Sequence, residues 1–492
     1  MSGVSKRTVV SSLVWKFLEQ GSSQLVSFVV SLVLARLLGP SDYGIVSLVL
    51  VFTAIALVFV QGGFNTALIQ KTDASEMDYS SVLVFSLSMA ILIYAVLFAV
   101  APAIALFYGS PQVCQILRVL ALLLLPGAYN SVQVAYAEKS FQFRKLFVAN
   151  LTTAVCSGVV GIGLSFAGAG VWALVAQQLG NQVFVCIVLA FLLRWRPRLG
   201  FSYESMRSLF SFGANVLAGD LLVQVFLNLR SLIVGRVFDT ATLGLFNRGR
   251  QFSTALMSAI TGSMQEVMLP TFSGVQDQPD RVLSIVRKSV GVSCFAIFPL
   301  MFGLAAVAKS LVVVLLGDSW ISCVPYLQIF AISYCFQPIQ IVAAQAMRGI
   351  GDSRTTLKLE VVRKVVELAL MLASIPFGPV VLAASSIAAG IVSCAVAFVP
   401  NVRVLHYRFR DQLADLSHPF FGSLAMCACV LGVGLLPIHP ALTLILQIVI
   451  GVAVYVTLEL AMRDDTMARL AAGLRKLRAG RSTGAVEGGK NV

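Results

Sequence analysis

Long apolar runs broken by short polar clusters set the pattern of this chain from end to end. A bilayer core takes about 20 mostly apolar residues per helix. By that measure the runs predict fourteen spans, near 11–35, 45–69, 81–107, 114–137, 146–167, 171–193, 209–234, 243–271, 288–308, 321–345, 357–376, 379–400, 418–436 and 440–462. A further apolar stretch, Leu311–Leu316, reads as a turn embedded in the loop between the ninth and tenth. No segment reads as a strand. The expected fold class is an all-α polytopic membrane protein.

The polar breaks give the orientation. With fourteen spans and both termini on one side, 26 of the 36 Lys and Arg fall on that side, three on the other and seven within spans. Cytoplasmic loops collect Lys and Arg, so both termini are expected in the cytoplasm. The external connections are short and hold no domain that could house an active site.

Composition narrows the class further. Hydrophobic types make up 58% and charged types 12%, with mean hydropathy +0.89. Soluble domains carry about 25% charged residues, so a soluble enzyme, a disordered chain and a secreted disulfide scaffold are excluded. The net charge of +14 sits in gaps between apolar runs, which suits membrane orientation and not nucleic acid. The nine cysteines lie mostly inside apolar runs, without a CxxC, and read as small hydrophobes. His406, His418 and His439 are scattered, and no HExxH, Walker A or GxSxG occurs. Neither a metal nor a cofactor is called for. GVVGIG at 158–163 lies mid-span and reads as helix packing. Lys6 and Arg7 precede an apolar stretch too long for a cleavable signal, so the N-terminus is expected to remain as the first span.

An internal repeat organises the spans. An offset of 200 residues places Gln24 on Gln224, Ser31 on Ser231, Arg36 on Arg236, Gly44 on Gly244 and Gly62 on Gly262. Parallel repeats of this kind are common in transporters, with the substrate between the halves. The expected organisation is a six-helix lobe over 1–200, a second over 201–402, two extra helices over 403–462 and a basic cytoplasmic tail over 463–492.

Charges within spans are costly and tend to mark pathways. The candidates singled out are seven basic residues (Lys16, Arg118, Arg230, Arg248, Arg250, Arg363 and Lys364) and four acidic ones (Glu19, Asp220, Glu266 and Glu367). That surplus suits a cavity that welcomes an anion. Lys16, Arg363 and Lys364 lie near span ends, where long side chains snorkel to the headgroups. Arg230 loosely shares a helical stripe with Asp220, Gln224 and Asn228, read as a polar seam facing the other lobe. The candidate cavity set is Arg230, Arg118, Arg248, Arg250, Gln24, Gln224 and Asn228; for Arg118, Arg248 and Arg250 an interfacial position competes equally. Glu19 and Asp220 fall at nearly the same depth of their helices. Ion coupling and a structural salt bridge stand about even for them.

The connection after the first span reads Ala35-Arg36-Leu37-Leu38-Gly39-Pro40-Ser41-Asp42-Tyr43-Gly44. It resembles the ARxLGPxxyG signature of Wzx-type bacterial polysaccharide flippases, in the multidrug/oligosaccharidyl-lipid/polysaccharide superfamily. Phe141–Arg144 and Gly168–Leu174 agree. The resemblance implies a V-shaped pair of six-helix lobes working by alternating access in the bacterial cytoplasmic membrane. It implies a substrate of oligosaccharide on undecaprenyl diphosphate, moved to the outer leaflet for capsule, exopolysaccharide or O-antigen-type polymers. Membrane lipids, a polysaccharide polymerase and chain-length machinery are the implied partners. Arg36, Gly39, Pro40 and Gly44 are the matching motif positions, read as structural in the outer turn. A cation-coupled drug exporter or a lipid II flippase of the same fold stays open; the basic surplus weighs against the exporter.

Overall fold

The computed structural model describes residues 6–193, 195–196 and 200–461. Helices account for nearly all of them: α1 (Lys6–Leu37), α2 (Pro40–Gln61), α3 (Phe64–Gln70), α4 (Glu76–Phe107), α5 (Pro111–Leu120), α6 (Leu124–Lys139), α7 (Phe143–Phe166), α8 (Val171–Leu192), α9 (Tyr203–Val237), α10 (Thr240–Ser273), α11 (Pro279–Leu315), α12 (Val324–Tyr334), α13 (Gln337–Gly349), α14 (Ser353–Ser374), α15 (Pro379–Leu405), α16 (Phe409–Val433) and α17 (Pro440–Ala461). Among the described residues there is no strand. The chain forms two compact units, Met1–Asn247 and Arg248–Val492, whose boundary falls inside α10.

Among the described residues eleven helical segments are long and apolar enough to cross a membrane, against the fourteen spans expected. In the first expected span the apolar helix among the described residues is the shorter Gly21–Leu37. The other two shortfalls, α10 and α14, are polar; α14 alone carries Lys358, Glu360, Arg363, Lys364 and Glu367. The expected turn at Leu311–Leu316 is instead helix as far as Leu315. No Gly or Pro interrupts it until Gly317, whose φ of 92° only glycine adopts readily. Outward faces are richly apolar, as lipid contact requires, with Phe191 at 84% and Leu106 at 83% exposure.

In the first unit α1 packs on α7, α7 on α8, and α2 on α9. Gly62 and Gly63, at φ 57° and 69°, break the span between α2 and α3. The Lys139 ammonium donates to the Leu68 carbonyl at 2.8 Å, satisfying an otherwise orphaned helix-end acceptor of α3. Ser75 and Asp78 form a reciprocal cap at the start of α4: Asp78 N–H donates to Ser75 Oγ at 3.2 Å, and Ser75 N–H to Asp78 Oδ2 at 2.9 Å. The stretch from α8 to α9 is fastened at two points. Trp195 is buried among Tyr79, Tyr129 and Tyr136, stacking on Tyr136 at 6.0 Å. The Ser202 N–H donates to Ser81 Oγ at 2.9 Å.

The second unit is built on α11. Val282, Val286, Val290, Cys294 and Phe298 recur every fourth residue, so one face of α11 is continuously apolar and buried. Leu416, Met426, Val430 and Tyr455 of α16 and α17 join the same core. Arg287 of α11 grips Asp415 of α16 with two bonds, Nε to Oδ2 at 2.7 Å and Nη2 to Oδ1 at 2.8 Å. The Tyr407 hydroxyl donates to the same carboxylate. Burial, with the Asp415 charge, pushes the Tyr407 phenol well above its usual range, so it stays a donor.

Candidate functional site

The turn between α1 and α2 is built by backbone constraints. Pro40 fixes the first residue of α2, and Gly39 caps it, its N–H donating to Asp42 Oδ2 at 3.3 Å. Tyr43 reaches back to donate its hydroxyl to the Ser31 carbonyl at 3.0 Å. Arg36 is exposed in the last turn of α1. Gly44 packs against the start of α10: a Cβ there would lie 1.6 Å from the Thr240 carbonyl oxygen. Reciprocally, a Cβ on Gly244 would lie 1.9 Å from the Pro40 carbonyl oxygen. Ser41 Oγ and Thr240 Oγ1 are 3.3 Å apart beside them.

The expected cavity residues do not form one cluster within either unit. Arg118 lies over the Phe98 ring, 4.2 Å from its centroid, and its Nε donates to the Phe98 carbonyl at 3.3 Å. On α9, Asp220 is exposed, Gln224 and Asn228 are half-buried, and Arg230 is buried. Asn228 Nδ2 donates to the Gln224 carbonyl at 2.9 Å, within the helix. The stripe therefore winds from an exposed to a buried face. Gln24 is exposed on α1. The side chains of Glu19, Lys16 and Glu266 lie outside the described residues, as does the expected tail over 463–492.

In the second unit Arg248 is 3% exposed. Its Nη1 donates to Gln251 Oε1 at 2.7 Å, and its guanidinium lies 5.8 Å from the centroids of Phe252 and of Trp320. Arg250, two residues on, is half-buried on another face, as the helical period requires.

The residues that do converge in the second unit lie outside the expected cavity set; among them Arg363, expected to snorkel to the headgroups, instead turns into a cleft between helices. A cleft of about 260 Å³ opens between α10, α13 and α14. Thr261 and Gln265 supply one wall, Gln337, Gln340, Gln345 and Arg348 the second, and Glu360 and Arg363 the third. Arg363 Nη1 donates to Glu360 Oε2 at 3.0 Å, and its Nη2 donates to Gln340 Oε1. Gln340 is anchored in turn, its Nε2 donating to the Gly390 carbonyl at 3.5 Å. The sequence signal was the polar spacing 337, 340, 345 and 348 on a single helix. The amides singled out from the sequence, Gln24, Gln224 and Asn228, stood out by the 200-residue repeat or by the Arg230 stripe, and neither reaches these four positions. The third wall is set by Asp352, which caps α14 by accepting from the Thr355 N–H at 3.0 Å. The hydrogen bonds from Thr355 hold the Asp352 carboxyl below its ordinary value.

A family model described as polysaccharide biosynthesis protein matches residues 33–325, more than half of the chain. A succinoglycan biosynthesis transport protein of Rhizobium meliloti is 24% identical over 330 residues, covering 67% of each chain. A teichuronic acid biosynthesis protein of Bacillus subtilis is 24% identical over 282 residues, or 57% of this chain and 58% of that one. Among solved structures, the lipid II flippase MurJ in an inward closed conformation superposes with a TM-score of 0.70 at 13% identity. That match covers 92% of this chain and 99% of that one. The likeness is one of fold.

Proposed function

We propose, from the premise that this chain belongs to the polysaccharide biosynthesis protein family, that it flips undecaprenyl-diphosphate-linked oligosaccharide across the bacterial cytoplasmic membrane. The chain is a transporter and not an enzyme. The family match over 33–325 carries the reading. The fold shared with a lipid flippase and the polar cleft of the second unit support it. In this reading fourteen helices span the membrane with both termini cytoplasmic, and the repeat supplies two lobes, 1–200 and 201–402, that alternate access. The polymer is of the capsule, exopolysaccharide or O-antigen type, assembled by a polymerase that receives the flipped units. Arg230 faces the path, and Glu19 and Asp220 couple an ion. Full transport by a Glu19→Gln, Asp220→Asn double mutant ends that last assignment.

The test is deletion of the chain, with extraction of lipid-linked oligosaccharide and of surface polymer. The expected result is loss of polymer with complete repeat units stranded on undecaprenyl diphosphate in the inner leaflet. Unchanged polymer with altered sensitivity to cationic drugs moves the assignment to an exporter.

A further inference from the structure

The cleft between α10, α13 and α14 carries two unmet hydrogen-bonding groups of opposite kind. Gln345 is 6% exposed, and its Oε1 accepts no hydrogen bond from the described residues. Arg363 Nε is buried, and likewise has no acceptor among them. Buried polar groups are nearly always satisfied, so an acceptor and a donor left open in one cleft call for an occupant that offers both. A hydroxyl is such a group; a phosphate oxygen only accepts, and an ammonium only donates. A phosphate placed here would satisfy Arg363 Nε but set oxygen against the Gln345 oxygen. The Arg363 charge is also partly answered by Glu360 at 3.0 Å, which leaves it a directional donor. Gln265 and Gln337 add amides that donate and accept. The volume, about 260 Å³, holds one sugar ring with a little water.

We infer that this cleft seats a sugar ring of the transported oligosaccharide, and not its diphosphate, so that the second unit reads carbohydrate. The inference rests on the flippase reading above. It assigns the recognition to Gln345 and Arg363, with Gln340 positioning the guanidinium.

The test uses the full chain in lipid nanodiscs and two probes. One is undecaprenyl-diphosphate-linked oligosaccharide extracted from the producing bacterium deleted for this chain; the other is undecaprenyl diphosphate without sugar. Gln345→Leu keeps the bulk and removes the acceptor. It is expected to weaken the first probe by about tenfold or more while leaving the second unchanged. Gln265→Leu, on an exposed wall position, shifts binding in the same direction by less, and decides the matter if Gln345→Leu does not fold. Equal loss for both probes overturns the inference, because the cleft then holds the diphosphate. Unchanged binding of both probes by both variants overturns it too, because the cleft then holds only water. Wild-type protein that binds the two probes equally well removes the sugar subsite and leaves the flippase reading standing. Wild-type protein that binds neither removes both.

Discussion

Gly44 and Gly244 meet face to face, each where the other's helix begins, and neither position has room for a side chain. They are also the two glycines that an offset of 200 residues superposes. The offset pair is thus a physical contact: the N-terminal ends of α2 and α10 approach so closely that backbone touches backbone. Gly44→Ala and Gly244→Ala are each expected to lower stability by about 1–3 kcal/mol, since backbone atoms cannot step aside as a side-chain tip would. Gly39→Ala, with nothing within 4 Å of its Cβ and an ordinary φ of −83°, serves as the control. Melting of the detergent-solubilised protein checks this, and equal melting of all three variants sinks it.

The bidentate pair between Arg287 and Asp415 binds α16 to α11. Its removal by Arg287→Ala is expected to cost about 1–2 kcal/mol, less than a buried pair because the arginine is half exposed. Tyr407 loses part of its partner's orientation in the same step. A double variant with Asp415→Asn should melt close to the single ones, because both remove one interaction. Additive losses would show that the two side chains act separately.

Asp352 gives a pH signature. Its carboxyl lies below the ordinary 3.8 in the folded chain because Thr355 donates to its charged form. A lowered folded value contributes stability that is complete above 3.8 and lost as pH falls through the folded value. Asp352→Ala is therefore expected to lower stability by about 0.5–1 kcal/mol at neutral pH, and by progressively less below 3.8. Melting across that range measures it; a deficit constant with pH would assign the loss to packing.

Arg230 is 7% exposed toward the C-terminal end of α9. Arg230→Ala is expected to abolish most polymer export while the protein still accumulates in the membrane fraction. Immunoblotting of membranes beside polymer yield reads both. Normal yield takes Arg230 out of the path.

What could be read from the chain, and what could not, divides on range. The glycine pair and the turn between α1 and α2 were legible because their signals lie in the sequence alone: Gly39-Pro40 starts a helix wherever it occurs, and an offset alignment needs no structure. Arg118 was not legible, because its partner is the ring and carbonyl of Phe98, twenty residues back on another helix. Lys139 counted as a loop charge, yet its ammonium closes the end of α3 across 71 positions. The cleft of the second unit escaped for both reasons. Its amides fall outside both the repeat and the Arg230 stripe, and its walls come from three helices that only the fold brings together.

The passage from α8 to α9 bears on how this protein can be handled. Trp195, boxed by three tyrosines, and Ser202, bonded to Ser81, are fixed points there, and a tag replacing either would lose its contact. A reporter or protease site placed there would report on damage. The turn over 274–278 is held at Val275, which packs on the core of the second unit, so the exposed bond between Gln276 and Asp277 is where the chain is expected to accept an insert.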